Sequence, residues 1–148
     1  MAVFLDTNVF LFAAGADHPL REAAQQVLRR VAQGELAATT STEVVQEILY
    51  VLYRRDLAEA GQKLARNALL LFPDLLPITG GDMLTACDLL KRYPAIPTRD
   101  AVHAASVLNH GLSAIITADS HFKDLAEFRY VPSCRPTSSQ RASEASAA

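Results

Sequence analysis

The chain has 148 residues, half of them hydrophobic, and a formal net charge of -2. That suits one globular domain with a full core and excludes a polycationic nucleic-acid coat, so any nucleic-acid contact has to be local. Its two cysteines, Cys87 and Cys134, lie far apart without paired Cys/His spacing, which argues against a zinc site or a disulfide scaffold and suits a reducing cytoplasm.

Ala2 to Leu5 is apolar on both faces and reads as a short buried parallel strand. Val9 to Ala14 reads as a short helix or a loop. Asp17-His18-Pro19 opens a helix, with Asp17 as its N-cap and Pro19 near the first turn; it runs to about Gln33, and Gly34 stops it. Leu36 to Thr39 is a second strand. Thr40-Ser41-Thr42-Glu43 matches a capping box, so the next helix begins there, carries Val44, Ile48, Val51 and Leu52 on one stripe, and ends near Arg55.

Asp56 with Glu59 marks another helix start, and Pro73 ends that helix after about Phe72. Leu75 to Ile78 is a weak third strand. Gly80-Gly81-Asp82 precedes a helix to about Tyr93, and Pro94 to Pro97 is a rigid connection. A helix from Arg99 to Asn109, closed by Gly111, leads into Ala114 to Thr117, the clearest central strand after the first. Tyr130-Val131 is a short final strand. Residues 134–148 are rich in Ser, Ala, Thr and Arg and read as a disordered tail, leaving 1–133 as the folded domain. No basic leader precedes the first apolar run, which Asp6 interrupts, and no stretch reaches the roughly 18 apolar residues of a membrane span, so a soluble cytoplasmic protein is expected.

Strands alternate with helices, which makes the fold class α/β: a sandwich with a mostly parallel central sheet flanked by helices. Sites in such sheets form outside the carboxyl ends of the strands. Asp6 and Asp119 each follow a buried apolar run and can meet there despite their distance in sequence. Asp100 starts a small-residue helix and Glu47 lies inside an amphipathic one. Carboxylates converging on one pocket repel one another unless a cation joins them, and Mg²⁺ or Mn²⁺ takes such oxygen ligands.

Each residue also has a plainer reading. Asp6 suits a helix cap, Asp100 a helix start favoured by the dipole, Asp119 a turn, and Glu47 a solvated helix face. Asn8 and Thr117, each two residues from an Asp, can orient a carboxylate or make ordinary turn hydrogen bonds. His103, three after Asp100 on the same face, suits a packed, hydrogen-bonded histidine better than a general base. Arg54, Arg55 and Arg99 are candidates for phosphate contacts, with solvated arginine as the default.

Four stretches together resemble the acidic motifs of PIN-domain ribonucleases: Leu5-Asp6-Thr7-Asn8-Val9, Glu43-Val44-Val45-Gln46-Glu47-Ile48-Leu49, Arg99-Asp100-Ala101-Val102-His103-Ala104-Ala105, and Thr117-Ala118-Asp119-Ser120-His121-Phe122. Their order and spacing, from about Val3 to Val131, are similar to the VapC-type toxins of toxin–antitoxin modules. The resemblance implies a PIN-like α/β/α sandwich and a Mg²⁺- or Mn²⁺-dependent endoribonuclease. Asp6, Glu47, Asp100 and Asp119 would be its catalytic acids, with Asp6, Asp100 and Asp119 on the metal and Asn8 and Thr117 in support. It also implies an RNA substrate, a cognate antitoxin and a homodimer. Some members carry a further acid directly after the fourth motif's Asp. Here Ser120 and His121 stand there, and Asp124 is a substitute in a less certain position, so one or two metal ions both fit. Three other readings stay open: a housekeeping RNA-processing nuclease, a non-catalytic binding module, and a phosphatase with an aspartate nucleophile. The phosphatase usually needs an Asp where Asn8 stands.

Overall fold

The computed structural model describes residues 2–120, Phe122, Leu125 and, as backbone alone, Arg129–Pro132. The opening apolar run forms strand β1 (Val3–Leu5), and Asp6 turns the chain directly into helix α1 (Thr7–Ala14). Then come α2 (Arg21–Ala32), β2 (Ala38–Thr39), α3 (Thr42–Arg54), α4 (Ala58–Leu71), α5 (Gly80–Arg92), α6 (Thr98–Asn109), β3 (Ala114–Thr117) and β4 (Arg129–Pro132).

The four strands form one parallel sheet in the order β2-β1-β3-β4, flanked by the helices. The α/β/α arrangement expected from the alternating pattern is therefore present. β1 sits between β2 and β3, with Phe4 opposite both Thr39 and Ile115 and Leu5 opposite Ile116. Because the chain leaves β1 toward one neighbour and returns on its other side, the crevice beyond the carboxyl ends of β1 and β3 is where a site can open. Phe4, Leu5, Val9, Phe10, Val44, Ile48, Val107, Ile115 and Phe122 fill the core, each at most 2% exposed.

Local chemistry sets the element ends, and some ends differ from expectation. Asp17 caps nothing. α2 starts after Leu20, which makes no side-chain cap bond, because the preceding turn is closed by His18, whose carbonyl accepts from the Arg21 N–H and whose Nδ1 accepts from the Leu20 N–H. The capping box read at Thr40–Glu43 does not form either. Ser41 is the N-cap of α3, accepting the Val44 N–H, while the Thr40 hydroxyl turns inward to donate to the Leu5 carbonyl at 2.9 Å. The weak strand at Leu75 to Ile78 is a single parallel bridge between Ser41 and Leu76.

A full capping box occurs instead at α5. The Thr79 hydroxyl accepts the Asp82 N–H, and Asp82 accepts the Thr79 N–H at 2.9 Å. Asp56, at φ 57°, takes the left-handed conformation just past α3. Gly34 and Gly111 close their helices at φ 74° and 61°, where a glycine carries no steric penalty. At Gly61 a Cβ would stand 3.0 Å from the Leu52 Cβ, so the close packing of α4 on α3 depends on its absence.

Among the described residues no helix is long and apolar enough to cross a membrane. Cys87 is exposed and unpaired. Cys134, His121, Asp124, the boundary after residue 133 and the tail 134–148 lie outside the described residues.

Buried Asp82 ties α5 to α6, since Asn109 Nδ2 donates to its Oδ1 at 2.8 Å. Burial alone would push Asp82 up, but the Thr79 amide, Asn109 and the Thr79 hydroxyl hold it below its usual 3.8. Thr79→Ala should cost about 0.5–2 kcal/mol, and Asp82→Ala about 1–3 kcal/mol because it also strands the Asn109 amide. A lowered folded-state pKa stabilises above the unfolded value. The Asp82 contribution should therefore be complete well above pH 3.8 and be lost as pH falls through the lower folded value. Urea midpoints of wild type and Asp82→Ala should accordingly converge in acid.

Candidate active site

Asp6 sits where β1 runs out, in extended backbone at φ -77° and ψ 160°, with its N–H bonded to the Ile116 carbonyl of β3. It is 3% exposed. One carboxylate oxygen accepts the Thr7 N–H at 2.7 Å, so Asp6 does cap α1. The other accepts the Thr117 hydroxyl at 2.6 Å and the Asn8 amide at 3.3 Å. Asn8 completes a buckle between strand ends: its Nδ2 also donates to Thr117 Oγ1 at 3.1 Å, and its Oδ1 accepts the Ala118 N–H at 3.0 Å. The Asp119 N–H donates to the same Thr117 oxygen at 2.9 Å. The carboxylate that caps α1 is thus also the one that Thr117 and Asn8 hold.

Glu47 reaches this point from the middle of α3. Its Oε2 accepts from the Thr7 hydroxyl at 2.6 Å and from His103 Nε2 at 2.8 Å. His103, fully buried on α6, also places Nε2 3.6 Å from Asp6 Oδ1, and its ring packs against Phe4. Arg99, one turn earlier on α6, lies 3.4 Å from Glu47 Oε1 and 3.8 Å from Glu43, with its guanidinium 4.6 Å above the Tyr50 ring. Of the three arginines considered for phosphate contacts, Arg99 is therefore engaged with the acidic side chains.

The charges follow from these contacts. Burial pushes the Asp6 carboxyl above 3.8; the His103 charge, Thr117 and Thr7 oppose this without reversing it. Burial would also raise Glu47, but the hydrogen bonds from His103 and Thr7 and the charges of His103 and Arg99 hold it below 4.5. Burial would lower His103, yet the Glu47 hydrogen bond and the charges of Asp6, Glu47 and Asp100 keep it above 6.5. The contacts thus favour the charged forms of His103 and Glu47, while burial disfavours that of Asp6.

Ligand atoms of Asp6, Glu47 and His103 all lie within 4.8 Å of one another. Asp100 is buried in the first turn of α6, near enough for its charge to act on His103. Asp119 is partly exposed just past β3. Neither belongs to that tight group, whereas Asn8 and Thr117 both contact Asp6. Sequence reasoning missed Thr7, whose only visible signal was its place beside Asp6. It read His103 as a packed, hydrogen-bonded histidine, which it is, without finding that its partner is Glu47.

A profile of the PIN domain matches residues 3–128. The chain is 34% identical over 133 residues to Ribonuclease VapC7 of Mycobacterium tuberculosis, covering 87% of this chain and 90% of that protein. In fold it is similar to VapBC2 from Rickettsia felis bound to a promoter DNA fragment, with a TM-score of 0.70 at 18% identity, over 89% of this chain and 98% of that one. It is also similar to a toxin–antitoxin complex from Klebsiella pneumoniae, with a TM-score of 0.66 at 17% identity, over 91% of this chain and the whole of that one.

A raised carboxyl pKa means that the charged form is disfavoured by folding. Without metal, Asp6 should lower stability as pH rises through its folded value, and Asp6→Asn should relieve this. In chelator at neutral pH the variant should melt higher than wild type, by about 2–4 °C per kcal/mol of relief. The gain should vanish below pH 3.8, where wild-type Asp6 is protonated folded or unfolded. Calorimetry across pH checks this; a lower melting temperature for the variant at neutral pH would contradict it.

Proposed function

The chain belongs to the PIN-domain family, with a VapC ribonuclease among its relatives, and from that premise we propose that it is the ribonuclease toxin of a toxin–antitoxin pair, a Mg²⁺- or Mn²⁺-dependent endonuclease hydrolysing RNA phosphodiester bonds in the cytoplasm. The observation that carries the reading is the Asp6 carboxyl, buried at a strand end and set against a second acid, Glu47. A carboxylate in that position is costly alone and favourable beside a cation. The donor chemistry fits a hard divalent ion, since Asp6, Asp100 and Asp119 all offer carboxylate oxygens and Glu47 stands beside Asp6, with the His103 nitrogen turned to Glu47.

Asp6, Asp100 and Asp119 would hold the ion, coming from the end of β1, the start of α6 and the loop after β3. The ion supplies positive charge against the phosphoryl oxygens and makes water more acidic. Thr117 and Asn8 fix the Asp6 carboxylate, with their hydrogen bonds limiting its rotation. Glu47, already ionised and oriented by Thr7 and His103, accepts a proton from the attacking water. Attack in line on phosphorus would leave a 5′-phosphate and a 3′-hydroxyl. No second histidine among the described residues joins His103 in this cluster to activate a 2′-hydroxyl instead.

A protein inhibitor is supported by the fold neighbour solved as a toxin–antitoxin complex. Leu70 on α4 and Leu84 on α5, 80% and 71% exposed, are apolar surface available to an antitoxin or to the second copy of a homodimer.

Chelation should abolish RNA cleavage, and Mg²⁺ or Mn²⁺ should restore it; full activity in chelator would sink the metal reading. Asp6→Asn, Asp100→Asn and Asp119→Asn should each cut cleavage by about 100-fold or more, the scale of several kcal/mol of lost charge stabilisation. Circular dichroism should stay unchanged, and wild-type rates in all three would move the site elsewhere.

Expression of the chain alone should arrest bacterial growth, and co-expression of a small antitoxin encoded beside it should relieve the arrest. Unaffected growth with purified protein active on RNA would favour an RNA-processing enzyme.

A further inference from the structure

A second feature touches the acidic cluster through Asn8. The α1 face that starts at Asn8 continues through Leu11 and Phe12 to Gly15, one helical stripe leading away from Asp6. It forms one wall of a cleft of about 320 Å³, at the small end of ligand-sized pockets, whose lining also includes Asp17, His18 and Arg55. Gly15 lets the chain leave α1 pressed against its last turn, since a Cβ there would meet the Leu11 carbonyl oxygen at 2.8 Å. Phe12 and His18 stack with ring centroids 4.4 Å apart and planes 26° from parallel. The His18 ring is also held by the Leu20 N–H, which donates to its Nδ1 at 3.1 Å. Neutral His18 then carries its proton on Nε2, a donor on an exposed, pre-oriented ring. Arg55, exposed at the end of α3, supplies a cation.

We propose that this cleft seats one nucleotide of single-stranded RNA beside the scissile phosphate, its base stacked on the Phe12-backed His18 ring and its phosphate against Arg55. The proposal rests on the ribonuclease reading and extends it to a binding subsite. A ring platform accepts any base through its π-face, and an arginine pairs with phosphate oxygens. Asp17 accepts base-edge N–H donors and repels phosphate, which assigns the base to the His18 end and the phosphate to Arg55. Asn8 belongs to both the cleft and the buckle around Asp6, so an occupied cleft holds the next phosphate of the strand toward the acidic cluster.

Binding can be read without turnover. In chelator, where Arg99 already offsets part of the cluster's negative charge, fluorescence anisotropy of a labelled single-stranded oligoribonucleotide gives the affinity and its salt dependence. Arg55→Ala should reduce the slope of log affinity against log salt by about 0.7, the share of one phosphate contact on a single strand. His18→Ala should weaken binding about five-fold or more with the slope unchanged, as loss of stacking does. Arg66→Ala, an exposed arginine of α4 outside this cleft, should change neither by as much. An oligonucleotide carrying 4-thiouridine should photo-crosslink to the peptide spanning residues 11–18. Binding of RNA that is indifferent to His18 and Arg55, equally sensitive to Arg66, or crosslinked elsewhere would overturn the subsite and leave the ribonuclease reading standing. No binding of RNA at all, together with no cleavage in Mg²⁺, would remove both.

Discussion

The hydrogen bond from the Thr117 hydroxyl to Asp6 joins the ends of the two central strands, and the rest of the site hangs from it. At 2.6 Å, and with both residues buried, it joins the Thr7 N–H and the Asn8 amide in fixing the Asp6 carboxylate. Thr117 has one proton to give. It gives it to Asp6 and receives from the Asn8 amide and from the Asp119 backbone N–H. Asp6 in turn starts α1, which carries Thr7 toward Glu47 and Asn8 toward β3. One residue thereby orients its neighbours on two other elements.

The second constraint is electrostatic. A buried histidine among carboxylates faces opposing effects: burial favours its neutral form, and its acidic neighbours favour the charged one. Here the neighbours win, because Glu47 accepts from Nε2 directly and Asp6 and Asp100 add their fields. The arrangement has a cost, since Nδ1 is buried without a hydrogen-bond partner among the described residues. Arg99 completes the compensation from the solvent side, resting on Tyr50 while it touches Glu47. α3 and α6 are thus held at the site by charge as well as by packing.

Much of the fold was legible because its signals are local. β1 is a uniform apolar run and β3 one that ends in Thr117, and the glycines that end α2 and α6 stand where a positive φ is needed. The errors arose where several hydroxyl and acidic residues compete for one role. Thr40, Ser41 and Glu43 fit a cap motif on paper, but Thr40 is drawn to the Leu5 carbonyl and Glu43 to Arg99, leaving Ser41 as the cap. Asp6 and its tie to Asn8 were readable from a strand end and two-residue spacing, whereas Thr117, read beside Asp119, donates instead to Asp6 across 111 positions. The Glu47–His103 pair was not, since it joins two helices across 56 positions and leaves no periodic trace.

Sequence separation within the buckle bears on how the protein comes into being. Asp6 and Thr117 are 111 positions apart, and β1 acquires its β3 partner only after α1 to α6 have been made. Such long-range parallel pairing forms late, since closing so large a loop precedes any return in contacts. A ribosome making this chain therefore releases β1 and its aspartate long before the threonine that fixes it. Until the last helix and β3 emerge, Asp6 has neither its hydroxyl donor nor His103, and a prematurely ended chain lacks the site altogether. The order of synthesis thereby keeps the Asp6 cluster unassembled until α6 and β3 have both emerged.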